Sequence, residues 1–218
     1  MKRTFLGLLI VLLALAACQN QTDNTTTSES YVPGETTQTT IGTPKGKYGI
    51  KSGIVVYKTQ MMGLDARQTT SFDDYGQKEI NEIKMEMMGV QVHSATLTRD
   101  GFMYNLDLTN RIGTKSPANP MYNASIDFQN LTEEMITEMK LKKEGKEEFL
   151  GRTCDKMSID YEKMRMKGNF LVYKGIALKM DVMVGSTKML LVGESFEENP
   201  GIPAETFEVP ADIKISGS

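Results

Sequence analysis

Residues 82–87 read Glu-Ile-Lys-Met-Glu-Met, a strict alternation of charged and apolar side chains. Successive side chains on a strand point to opposite faces. Ile83, Met85 and Met87 therefore share one face, and Glu82, Lys84 and Glu86 the other. That is the mark of a half-buried strand. A sheet with one wet face has to bury the other, and this requirement constrains what the rest of the chain can build.

The surrounding sequence supplies more strands of the same kind. Residues 48–58 (YGIKSGIVVYK) are rich in β-branched and aromatic side chains. A turn over 60–65 leads to a second strand over 67–72, and Asp73-Asp74-Tyr75-Gly76 supplies a hairpin connection. The alternating strand follows, then another over 90–98. Arg99-Asp100-Gly101 turns the chain into 102–108. Residues 109–125 hold Gly113, Pro117 and Pro120 and read as a long connection.

One helix is expected, over about 131–144. Asn130 can cap it with Glu133 as the reciprocal partner. Leu131, Met135 and Met139 recur at i, i+4 and i+8, with Ile136 beside the stripe. Glu133 and Glu134 open it and Lys140, Lys142 and Lys143 close it, matching the helix dipole. Gly145 then stops it. Strands return over 148–159, with turns at Lys167-Gly168-Asn169, Gly175 and Gly185-Ser186. The last long strand is 187–196, followed by a Pro-punctuated irregular tail.

Strands, one mid-chain helix, then strands describe an α+β chain that is mostly antiparallel β. One helix covers only part of a sheet face, so the sheet must curl, close, or leave an apolar concavity. A single β-rich domain over 47–210 is expected, with 211–218 as a tail.

The chain opens differently. Lys2 and Arg3 precede an apolar run over 5–15 and the small residues Ala16 and Ala17. This is the pattern of a secretory signal peptide, and the run is shorter than the ~20 residues of a spanning helix. The sequence Leu15-Ala16-Ala17-Cys18 resembles the lipobox of bacterial lipoprotein precursors. The resemblance implies cleavage after residue 17 and lipidation of Cys18. Because Gln19 is not Asp, it further implies an outer-membrane location. One acyl chain binds only marginally, at about 0.8 kcal/mol per buried methylene, whereas two or three make release negligible. Residues 18–46 then read as the anchor and a Thr-rich tether too polar to fold.

Removal of residues 1–17 leaves 201 residues with 23 basic and 28 acidic side chains. Such a balance lacks the basic field that displaces counterions from nucleic acid, so no nucleic-acid partner is expected. Of the two cysteines, Cys154 would be left unpaired. It reads as a small buried hydrophobe, the usual fate of a free cysteine.

The stretches Gly53-Ile54-Val55-Val56-Tyr57-Lys58, Phe72-Asp73-Asp74-Tyr75-Gly76-Gln77-Lys78-Glu79, Gly151-Arg152-Thr153-Cys154 and Val172-Tyr173-Lys174-Gly175-Ile176-Ala177-Leu178-Lys179 together resemble a group of envelope lipoproteins. Their fold is like that of the outer-membrane lipoprotein carrier superfamily. The resemblance implies a curled, open antiparallel half-barrel, its concave apolar face partly covered by helix. It carries no catalytic residue across, and this chain lacks the tryptophan usual before the Val-Tyr-Lys strand.

Methionine is over-represented, at 16 of 218 residues. Met85 and Met87 share a strand face, as do Met164 and Met166. Met135 and Met139 share the helix stripe. Three readings compete for them: filler for irregular core gaps, an adaptable cradle for acyl chains or a partner, and a soft-metal site. With one histidine (His93) and no cysteine pair, no metal and no cofactor are expected. Asp73-Asp74 lacks the spaced ligands of a calcium loop. No catalytic motif occurs, so the expectation is a non-enzymatic envelope lipoprotein facing the periplasm. It would bind either a lipid-like ligand or another envelope protein.

Overall fold

The computed structural model describes residues 46–61, 64–118 and 126–216, all within one compact unit spanning 41–218. The expected signal peptide, the expected lipidation site Cys18 and the expected tether up to residue 45 lie outside the described residues, as do Met62 and Gly63 of the first expected turn.

Among the described residues, twelve strands and one short α-helix follow in order: β1 (Gly53–Met61), β2 (Leu64–Asp73), β3 (Lys78–Met87), β4 (Val90–Arg99), β5 (Phe102–Asp107), β6 (Ile112–Pro117), α1 (Glu133–Glu138), β7 (Lys142–Phe149), β8 (Arg152–Tyr161), β9 (Met166–Tyr173), β10 (Ile176–Val184), β11 (Thr187–Glu198) and β12 (Lys214–Ser216). They form one sheet in the order β12-β6-β5-β4-β3-β2-β1-β11-β10-β9-β8-β7. Every pairing is antiparallel except β12 with β6. The sheet is open, with β12 and β7 as edges, consistent with an open half-barrel.

Hairpins account for the topology. At Met88-Gly89, Asp100-Gly101, Leu150-Gly151 and Lys174-Gly175 both residues have positive φ. Two-residue turns of this type match the right-handed twist of the strands they join. The β1–β2, β3–β4, β8–β9 and β10–β11 connections fall at one end of the sheet, because Gln60 pairs with both Asp65 and Leu190, Ala66 with Met85, and Val184 with Met166. The β2–β3, β4–β5 and β9–β10 connections fall at the other.

The expected helix over 131–144 shrinks to Glu133–Glu138. Its N-cap is Thr132, not Asn130: the Thr132 hydroxyl accepts the Met135 N–H at 3.1 Å. Residues 142–149 pair as β7 with β8 instead. Helix propensities of Lys and Glu differ from other residues by only tenths of a kcal/mol, so a full ladder of strand hydrogen bonds overrides them. Gly145 stops no helix; it sits at a bulge in β7. The charges serve cross-strand pairs, Lys143 to Asp155 at 2.8 Å and Lys156 to Glu147 at 3.3 Å. A charged edge strand also resists pairing with other chains.

Five further expectations are corrected, the first being the strand over 148–159, which breaks at Leu150-Gly151 into the end of β7 and the start of β8. Residues 112–117, assigned to a connection, form β6, and 214–216 of the expected tail form β12 beside it. Met164 belongs to a 3₁₀ turn, Glu162–Met164, ahead of β9, so it does not share a strand face with Met166. Gly168 is no turn residue but lies inside β9, opposite Ile159 and Val182. Its φ is +156°, and a Cβ there would sit 2.2 Å from the Asp181 carbonyl oxygen. Gly168→Ala is expected to destabilise the fold by about 2–5 kcal/mol, combining backbone strain with overpacking. Gly151→Ala, at positive φ but with open space around it, should cost only about 1–2 kcal/mol. Urea titration of the two variants separates steric clash from strain.

The core lies in three clusters drawn from residues 48–213. Val55, Phe72, Cys154, Leu171, Leu178 and Phe196 belong to the central one. Under the 126–141 segment, Met139 and Leu141 pack with Ile159, Met166, Phe170, Val172 and Val182, joined by Phe128 and Leu131. No residue inside α1 is buried, so the flanks of the helix do the covering. The third cluster joins Ile80, Ala95, Leu97 and Leu106 to Phe207 and Ile213. The C-terminal segment thus covers one face of β3–β5.

Candidate functional site

That arrangement frees the opposite face of β3–β5. On β3, Ile80 enters the core under the C-terminal segment, while Glu79, Asn81 and Ile83 point the other way into an open cavity of about 1090 Å³. The alternation repeats on β4, where Leu97 is buried and Thr96 and Thr98 line the cavity.

The cavity has two unlike walls. From β2 to β6 it is lined by Gln68, Thr70, Asn81, Thr96, Thr98, Asn105 and Ser116, with Ile83 and Met103 among them. From β9 to β11 it is lined by Phe170, Ile176, Ala177, Met180, Met189 and Leu191, capped by Ile126 and Phe128 from the segment before α1.

At one end a buried network closes it. Glu79 is 7% exposed and its carboxylate accepts from Lys47 Nζ at 2.6 Å, Tyr48 OH at 2.7 Å and Asn81 Nδ2 at 2.7 Å. The Thr70 hydroxyl donates to Asn81 Oδ1 at 2.5 Å. The chain places Lys47 and Tyr48 there by backbone pinning: Tyr48 N–H donates to the Tyr75 carbonyl and Gly49 N–H to the Lys174 carbonyl. Burial, and then the Glu79 charge, push the phenol of Tyr48 well above its ordinary range. The same two causes raise Tyr57, whose hydroxyl donates to the Ala177 carbonyl at 3.1 Å.

The six methionines singled out from the sequence do not come together in this cavity. Met139 and Met166 are 7% and 8% exposed and fill the cluster under 126–141. Met85 is half-buried on the cavity-facing side of β3, beyond the lining residues. Met87, Met135 and Met164 are exposed. The methionines that line the cavity are Met103, Met180 and Met189. The polar wall is what sequence reasoning missed. Its signal is the alternation Ser94-Ala95-Thr96-Leu97-Thr98 within the strand expected over 90–98.

Cys154 is fully buried, and burial raises its thiol pKa, which leaves it an inert core residue. His93 is about a third exposed, with Nε2 3.6 Å from a Glu82 carboxylate oxygen. Among the described residues no three His, Cys, Asp or Glu side chains gather as a metal site, and no helix is long and apolar enough to cross a membrane.

No protein-family model and no curated protein matches the sequence. Solved structures do. An uncharacterized conserved protein from Thermus thermophilus superposes with a TM-score of 0.52 at 10% identity, over 76% of this chain and 90% of that one. The two share a fold. MucB aligns over 76% of this chain and 60% of its own, at 10% identity and a TM-score of 0.49. The complex of Pseudomonas aeruginosa MucA and MucB aligns over 77% and 58%, at 9% and 0.47.

Proposed function

We propose that this chain is a non-enzymatic, lipid-anchored protein of the bacterial envelope that holds a lipid or other apolar ligand in the cavity of a half-barrel sheet. The cavity carries the reading. Its volume of about 1090 Å³ is just above the range of about 300–1,000 Å³ usual for ligand sites, and its β9–β11 wall is mostly apolar. The segment over 126–141 is the partial cover that such a half-barrel requires. Leu15-Ala16-Ala17-Cys18 supports the anchor, and Gln19 supports an outer-membrane position facing the periplasm. A chain held by Cys18 cannot ferry cargo across the periplasm, so it would receive or store it.

Native mass spectrometry of residues 41–218, secreted without the anchor and purified without detergent, tests the reading. The unit carries its own three core clusters, so it is a fair object. A mass excess that resolves into lipid on denaturation is expected. A clean ligand-free mass, together with no uptake of a fluorescent apolar probe such as phenylnaphthylamine, would overturn it.

One observation favours a second reading, an accessory lipoprotein that binds another envelope protein. Met87, Met88, Val90, Met164 and Met183 are 47%, 100%, 59%, 44% and 40% exposed, and all lie at the hairpin ends along one end of the sheet. Exposed apolar side chains in such number mark contact surfaces. Photo-crosslinking from position 88 in cells would capture a stoichiometric protein under this reading.

A further inference from the structure

Among the described residues, three charged side chains line the cavity, and each has a partner. Lys47 pairs with Glu79 at 2.6 Å, and Lys188 pairs with Asp181 at 3.3 Å. An ionic headgroup entering the cavity would shed water and meet no uncommitted opposite charge. The polar wall has the converse character. Among the described residues, no hydrogen bond engages the Thr98 hydroxyl, the Ser116 hydroxyl or the Asn105 amide nitrogen. These groups are uncharged and offer both donors and acceptors. Their complement is a set of hydroxyls, which also donate and accept. Across the cavity, Phe170, Met180 and Leu191 complement hydrocarbon only.

We infer that the ligand is a neutral amphiphile of the glycolipid class. Its hydrocarbon lies on β9–β11 and its hydroxyl-bearing head on Thr98, Asn105 and Ser116 of β4–β6. This rests on the cavity being a ligand site and adds the chemistry of the head. It also accounts for a feature an acyl-chain cradle does not need. The β3–β5 strands bury Ile80, Ala95, Leu97 and Leu106 on the opposite face, under Phe207 and Ile213, and turn Asn81, Thr96, Thr98 and Asn105 into the cavity beside Ile83 and Met103.

The test uses residues 41–218 and three probes of equal chain length below their micellar concentrations: octyl β-glucoside, octanoate and octyltrimethylammonium. Carbon-13 methyl signals of Met103, Met180 and Met189 report occupancy. The glucoside is expected to bind roughly tenfold or more tightly than either ion. Thr98→Val combined with Asn105→Leu should weaken the glucoside by roughly tenfold, whereas phenylnaphthylamine, which needs no polar partner, should bind at least as tightly as to the parent. Octanoate binding as tightly as the glucoside would overturn the neutral-head assignment and leave the apolar cavity standing, as would a double variant that binds the glucoside like the parent. An uncharged octanoyl-dipeptide amide binding more tightly than the glucoside would overturn the sugar in favour of a peptide head. Failure of every probe, phenylnaphthylamine included, would overturn the cavity reading itself.

Discussion

Glu79→Ala is expected to cost about 3–5 kcal/mol of unfolding free energy, the range for breaking a buried ion pair from one side. The Lys47 side chain keeps 21% of its surface in water, which places the expectation toward the lower end. Three donors lose one acceptor at once: Lys47 Nζ, the Tyr48 hydroxyl and Asn81 Nδ2. The phenol suffers most, because Tyr48 is 7% exposed and packs its ring 4.2 Å from that of Phe72. Lys47→Met in the Glu79→Ala background removes the stranded cation and should recover part of the loss, with a coupling of about 0.5–3 kcal/mol. Chemical denaturation of the two single variants and the double variant measures it. A Glu79→Ala protein within about 1 kcal/mol of the parent would mean that the network closes the cavity end without stabilising the fold.

Some hairpins were legible because their chemistry is local, while Leu150-Gly151, inside the strand expected over 148–159, was not. Asp100-Gly101 and Lys174-Gly175 each place a glycine where positive φ is needed, and the alternation over 82–87 identifies β3 without reference to the rest of the chain. What stayed illegible depends on partners distant in sequence. The run Lys142-Lys143-Glu144-Gly145-Lys146-Glu147-Glu148 is almost wholly exposed and carries no hydrophobic period; only the unpaired edge of β8 makes it a strand. Likewise β6 holds Gly113 and ends on Pro117, and β12 is three residues long, so each depends on a neighbouring strand. The candidate site failed for a related reason. Alternation tells which residues share a face, not which face turns inward. Thr96 and Thr98 face the cavity because Phe207, far along the chain, covers Leu97 from behind. Methionine abundance does not locate the cavity for the same cause: Met139 and Met166 fill the core under the segment over 126–141, as the core-gap reading has it, and Met88 answers to the geometry of a two-residue turn.

Alkaline unfolding should be steep and should begin near pH 10. Tyr48 and Tyr57 are 7% and 4% exposed, and burial followed by the Glu79 charge raises both phenols above the model-compound value of 10.0. The sign follows from proton counting. Below about pH 10 both phenols are protonated in the folded and unfolded chains alike, so the contribution is fully present. Above it the unfolded chain releases two protons that the folded chain keeps, and stability falls until pH reaches the raised folded values. Each phenol contributes a slope of about 1.4 kcal/mol per pH unit, and the pair about 2.7. Tyr48→Phe removes one of them. At neutral pH it loses the hydrogen bond to Glu79, worth about 1.5–3 kcal/mol for a bond to a charged group. Above about pH 10 its stability should decline about half as steeply, so the two curves converge. The chain has no tryptophan and eight tyrosines, which makes tyrosinate absorbance a clean companion to circular dichroism. Parallel curves for parent and variant would show that Tyr48 ionises without opening the fold, and would remove it as a buried closure of the cavity.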